Sequence, residues 1–86
     1  MIDAIHRLID EKGNLSIGAR DLAPGSDLYR TGLTPFTAIQ LMLALEKEFD
    51  VEFRAQMLNR RSMSSINAIL SCIYELQEME APLEAA

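Results

Sequence analysis

The run Thr34-Pro35-Phe36-Thr37-Ala38-Ile39-Gln40-Leu41-Met42-Leu43-Ala44-Leu45-Glu46-Lys47-Glu48-Phe49 is the longest apolar-periodic stretch of the chain, and its first residues specify a helix start. The Thr34 hydroxyl is available as a cap. Pro35 falls where a fixed φ suits the first turn and where the missing N–H was to be unpaired in any case. Ala38, Leu41, Met42, Leu45 and Phe49 recur at i, i+3, i+4, i+7 and i+11, one helical face and the expected core stripe. Phe36, Ile39 and Leu43 form a second apolar row on an adjoining face. Apolar character thus wraps more than half of this helix. Either it is nearly central in a small bundle, or part of it is left uncovered for a partner.

With 86 residues the chain is expected to make one domain, close to the length below which a core needs staples. A lone Cys72 excludes an internal disulfide, and no CxxC or Cys/His cluster offers a zinc site. Helix packing must therefore supply the stability. The net charge of −5 argues against a nucleic-acid binder and suits docking on a basic protein surface. No run approaches the roughly 18 apolar residues of a membrane span. Met1-Ile2-Asp3 opens straight into a helical pattern rather than a signal peptide, so a soluble cytoplasmic monomer is expected. No Ser-His-Asp constellation, paired carboxylates or metal cluster marks an enzyme.

Ile2, Ile5, Leu8 and Ile9 predict a first helix that stops at Gly13, with His6 on its surface. Residues 14–33 read as a long connection rich in turn formers, anchored by Leu15, Ile17, Leu22, Leu28, Tyr29 and Leu33. Gly25 and Gly32 are its expected positive-φ positions. After the central helix, Val51 and Phe53 should plug the bundle end. Residues 54–59 should form one or two helical turns with Met57 and Leu58 turned inward. Lys47, Arg54, Arg60 and Arg61, half of the eight basic residues, form either a solvated rim or a docking patch. A last helix begins within Ser62-Met63-Ser64-Ser65 and buries Ile66, Ile69, Leu70, Ile73 and Leu76, with Cys72 as a small packing residue. Glu75, Glu78 and Glu80 oppose the helix dipole, so this helix should fray at its end. The expected domain is residues 1–80, with residues 81–86 a disordered tail.

Helix, long anchored loop, central helix, short helix and final helix is the arrangement of acyl carrier proteins. The segment from Asp27-Leu28 through Gly32-Leu33 to Glu46-Lys47-Glu48-Phe49 resembles the carrier signature of an acidic-Leu loop, Gly-Leu, an Asp-Ser-Leu box and a Leu-rich helix ending in Glu-x-x-Phe. Leu28-Tyr29, Gln40-Leu41-Met42-Leu43, Glu52-Phe53, Met57-Leu58-Asn59-Arg60 and Ile66-x-Ala68-Ile69 are similar to the small bacterial aminoacyl carrier proteins. Gln40, Asn59 and Arg60 are not demanded by helix packing, so they weigh most in that match. The resemblance implies an all-α, acyl-carrier-protein-like bundle of three main helices plus one short helix. It also implies a non-catalytic carrier with 4'-phosphopantetheine as prosthetic group. The implied partners are a seryl-tRNA-synthetase-like amino acid:[carrier protein] ligase and, for a form with serine at position 35, a phosphopantetheinyl transferase.

At one position the sequence leaves the pattern. Carrier proteins attach phosphopantetheine to a serine at the start of the central helix, and the matching residue here is Pro35, which has no nucleophile. Thr34 is one residue early and engaged if it caps; Thr37 is expected to point elsewhere on the helix. A natural divergence, an introduced change and an error in the sequence each leave the same fold expectation, because proline at the first helical position is benign. The resemblance further implies a partner surface of Thr34, Phe36, Thr37, Gln40, Leu43 and Lys47, with Arg54 and Arg60 on its rim. This surface lacks the acidic residues that arginine-rich fatty-acid enzymes would read. Ile39 is expected to complete the core instead, while Phe36 and Leu43 suit core and docking equally. Two functions follow: a carrier-type scaffold whose attachment position is blocked, or a cargo-free helical module that docks on a carrier protein's enzyme.

Overall fold

The computed structural model describes residues 1–79, and the tail expected from residue 81 lies outside them. Three long helices form the frame: α1 (Ile2–Lys12), α3 (Pro35–Phe49) and α4 (Ile66–Met79), with a one-turn helix α2 (Leu28–Thr31) in the first connection. Among the described residues there is no strand, as the all-α expectation requires. α1 packs along α3, and Arg7 on α1 meets Glu48 on α3 at 2.8 Å on the exposed seam. Ile5, Leu8 and Ile9 of α1, Ala38, Leu41 and Leu45 of α3, and Ile66, Ile69, Ile73 and Leu76 of α4 are buried against one another. These are the stripes that the 3.6-residue period selects, and each large side chain removed from water contributes about 1.5–3 kcal/mol. Met42, Phe49, Leu70 and Cys72 pack at the edge of this core, half-buried.

The long connection is folded onto the bundle. Ala19 N–H donates to Asp10 Oδ1 at 2.8 Å, Leu28 N–H to the Ser64 carbonyl at 2.8 Å, and Asn67 N–H to the Pro24 carbonyl at 3.0 Å. A 3₁₀ turn (Ala19–Asp21) and α2 satisfy part of its backbone internally. Asp27 caps α2 by accepting the Tyr29 N–H at 2.9 Å, which gives the acidic residue of the Asp-Leu pair a structural reason. Leu28 and Leu33 are buried anchors, and Leu15, Leu22 and Tyr29 are half-buried. Ile17 is not an anchor, because it lies 47% exposed beside the turn.

Of the glycines, only Gly32 takes a positive φ, +128°; Gly25 does not, and nothing approaches within 4 Å of the place its Cβ would occupy. The first helix ends at Gly13 as expected, but without a left-handed glycine. Gly13 stays right-handed, with its N–H on the Ile9 carbonyl at 2.8 Å, and the left-handed turn falls on Asn14, whose short polar side chain tolerates it. A Cβ at Gly13 would come 2.7 Å from the Ile9 oxygen, so this glycine answers a close approach.

Beyond α3, Val51 and Phe53 are buried as expected. Over residues 54–59 the expected helical turn is a single 3₁₀ turn, Ala55–Met57, and a second 3₁₀ turn, Arg60–Met63, follows it. Met57 is buried, but Leu58, expected inward, is 59% exposed, because the short turns rotate it outward. Ser65 is the serine that caps α4, its hydroxyl accepting the Ala68 N–H at 3.0 Å. α4 runs through Met79, past Glu75 and Glu78; Glu80 lies outside the described residues.

Candidate functional site

The start of α3 is closed by a reciprocal capping box. Thr34 Oγ1 accepts the Thr37 N–H at 3.1 Å, Thr37 Oγ1 accepts the Thr34 N–H at 2.8 Å, and the two hydroxyls lie 3.0 Å apart. Thr37 therefore does not point elsewhere on the helix; it folds back onto Thr34. Ala38 N–H donates to the Thr34 carbonyl at 2.8 Å, and Pro35 has no N–H to offer. Among the described residues, Phe36 N–H is the one donor of this helix start left without an acceptor.

From Pro35 the outer face of α3 runs uncovered. Phe36 is 69% exposed, Ile39 58% and Leu43 59%. The expectation that Ile39 completes the core is thus incorrect. The stripe Ala38-Leu41-Leu45 is buried, whereas Ile39 lines an open groove together with Leu58 of the 3₁₀ connector, which is exposed as well. These four side chains make an apolar patch of the kind that marks an interaction surface.

Between the patch and the connector lies a groove of about 690 Å³ that opens at Pro35. Ile39 and Leu43 stand on one side and Leu58, Asn59 and Arg60 on the other, over buried Ala38, Phe53 and Met63. The Arg60 guanidinium stacks 3.9 Å from the centroid of the Tyr29 ring at one edge. Burial pushes the Tyr29 hydroxyl above the ordinary tyrosine range; neighbouring Arg60 partly opposes this and Asp27 adds to it. Glu46 Oε2 accepts the Phe53 N–H at 2.8 Å and so ties the end of α3 to the connector that forms the opposite wall. Asn59 caps the second 3₁₀ turn, accepting the Ser62 N–H at 3.2 Å while its own amide donates to the Gln56 carbonyl at 2.7 Å.

Gln40, Leu43 and Lys47 border a shallower depression with Lys12 and Ala44 on the other flank of the helix. Leu43 is the ridge between the two hollows. The structure thus gathers Phe36, Gln40, Leu43 and Lys47 along one outer face, with Thr34 and Thr37 at its start and Arg60 across the groove. Arg54 is exposed on the connector and borders neither hollow. Sequence reasoning left Glu46, Leu58 and Tyr29 out of the partner surface. A carboxylate that precedes the apolar Val51-Glu52-Phe53 connector was the available signal for Glu46; nothing in the periodicity marks Leu58. No group of three or more His, Cys, Asp or Glu side chains able to hold a metal occurs among the described residues.

The family described as phosphopantetheine attachment site matches residues 12–73, most of the chain. The chain belongs to this phosphopantetheine-binding family. It is 42% identical over 65 residues to the aminoacyl carrier protein of Agrobacterium fabrum, covering 76% of this chain and 78% of that one. It also matches a chain in the crystal structure of an engineered Bradyrhizobium japonicum glycine:[carrier protein] ligase complexed with carrier protein from Agrobacterium tumefaciens and AMP. That match has a TM-score of 0.83 and 38% identity, over 86% of this chain and 99% of the other. Coverage that complete, by so short a chain, identifies the carrier protein as the matching partner. The corresponding complex with ATP gives a TM-score of 0.82 at 36% identity, over 86% and 96% of the two chains. A solution structure of an Agrobacterium tumefaciens protein matches over the full length of both chains, with a TM-score of 0.72 and 36% identity. Carrier proteins of this family are generally non-catalytic, and 4'-phosphopantetheine is the group the family implies. The start of α3, where the resemblance puts attachment, does not fit that group. Pro35 has no hydroxyl, and both neighbouring threonine hydroxyls are committed to the cap.

Proposed function

We propose that this protein is a carrier-type docking protein, without catalysis of its own, that binds an amino acid:[carrier protein] ligase through the outer face of α3. Position 35 is the family's attachment position, and its proline leaves the chain unmodified. The observation that carries this reading is the exposed row Phe36, Ile39 and Leu43, continued by Leu58, running directly from Pro35. Four large apolar side chains in water are unfavourable unless something covers them, and a protein of this fold meets a ligase in the relatives' crystal structures. Gln40 and Lys47 on one flank and Arg60 on the other supply a polar rim, as in helix-in-groove recognition. A ligase that holds ATP or AMP in those structures works where nucleotide is available, which favours the cytoplasm. No helix among the described residues is long and apolar enough to cross a membrane.

Calorimetric titration of the ligase with Phe36→Ala and Gln40→Ala tests the surface. Both variants should bind more weakly, Phe36→Ala by about tenfold or more, the size of an aromatic hot spot. Far-UV circular dichroism should not change, because neither side chain belongs to the core. Undiminished binding by both variants would remove α3 as the docking face.

A further inference from the structure

We propose that this chain occupies the carrier-docking surface of the ligase without receiving an amino acid, and so limits loading of phosphopantetheine-bearing carriers by competition. Such competition presupposes the docking reading above. Docking and loading make separate demands on a carrier: docking needs a formed surface, whereas loading needs a flexible arm ending in a thiol. The structure keeps the first and dismantles the second.

The dismantling goes further than a missing hydroxyl. A helix start that holds a phosphodiester does so with free N–H groups. Here Pro35 has none and the Thr37 N–H is bonded to Thr34 Oγ1, which leaves the Phe36 N–H as the one free donor of the first turn. Modification at Thr34 or Thr37 would break the capping box, since each hydroxyl accepts the other residue's N–H. Cys72, the only thiol, is half-buried on α4 and borders no part of the groove, so no side chain stands in for the arm.

The docking surface, by contrast, is complete without cargo. The capping box and Pro35 order the first turn of α3 by themselves, and that turn carries Phe36. Glu46 fixes the connector that bears Leu58 and Arg60. A ligase would therefore meet a preformed surface that delivers no thiol to its active centre.

The test measures glycine loading of phosphopantetheine-bearing Agrobacterium aminoacyl carrier protein by the engineered Bradyrhizobium ligase, with this chain added. Its Kd for the same ligase is measured by calorimetry. The apparent KM for the phosphopantetheine-bearing carrier should double when this chain is present at its Kd, with kcat unchanged. Leu43→Asp, checked for folding by circular dichroism, should lose both binding and inhibition. Pro35→Ser bearing the arm should change from inhibitor to substrate. Binding without any rise in KM overturns competition but leaves the docking surface standing. No binding, under conditions where the Agrobacterium carrier binds, overturns the docking reading and the competition with it.

Discussion

Glu46 joins α3 to the opposite wall of the groove through a single bond, so its removal should loosen the fold and the site together. Its half-buried carboxylate accepts the Phe53 N–H at 2.8 Å, and Phe53 is itself buried. A hydrogen bond to a charged acceptor contributes about 1.5–3 kcal/mol, and the partial exposure of Glu46 puts it in the lower half of that range, at about 2 kcal/mol. Alanine returns a few tenths of a kcal/mol through helix propensity. Glu46→Ala should therefore cost about 1.5 kcal/mol. In urea, with a slope of about 1.2 kcal/mol/M for a domain of this size, the midpoint should fall by roughly 1 M with the slope unchanged. The thermal midpoint should drop by about 6–12 °C. Glu46→Gln keeps an acceptor oxygen in place and should lose less than about 1 kcal/mol. A Glu46→Ala midpoint within 0.2 M of the parent (about 0.25 kcal/mol on the same slope) would refute this role. Equal losses in the two variants would show that charge, and not the bond to Phe53, is what matters.

Thr34→Ala removes one half of the capping box and should destabilise the protein by about 1 kcal/mol in the same denaturation assay. Gly32→Ala forces a side chain into φ +128° and should cost about 1–2 kcal/mol, although the methyl group would meet Asn14 O at an ordinary contact distance of 3.7 Å. The raised Tyr29 pKa has a pH consequence. The stabilising share of the protonated phenol is complete below the ordinary tyrosine range near 10, and it is lost as pH rises through the higher folded-state value. Stability measured from about pH 9 upward should fall in the parent and fall less in Tyr29→Phe; identical profiles would exclude the Tyr29 hydroxyl as the cause.

The long helices were legible because burial and period coincide. Ile5, Leu8 and Ile9, Leu41 and Leu45, and Ile66, Ile69 and Ile73 each lie on one face and are all buried. The capping box was half legible: Thr34 reads as a cap from its place before Pro35, but threonine is not the usual return partner, so Thr37 was misplaced. Ile39 and Leu58 were misread for a shared reason. Periodicity finds the apolar face and does not reveal whether a neighbour covers it, and here the groove between α3 and the 3₁₀ connector is open. Ile17 failed as an anchor in the same way, since an apolar residue in an irregular loop has no period to fix its direction. Asn59, which entered through family resemblance alone, turns out to be held by its capping bonds to Ser62 and Gln56.

The most direct test of the account is intact mass after incubation with coenzyme A and a permissive phosphopantetheinyl transferase, run on this chain and on Pro35→Ser together. The parent should keep its mass, and Pro35→Ser should gain one phosphopantetheine, because serine restores both the nucleophile and a helix-start N–H on an otherwise intact carrier fold. A mass gain by the parent would contradict the account, since another hydroxyl would then serve; failure of Pro35→Ser to gain the group would contradict the assignment of position 35.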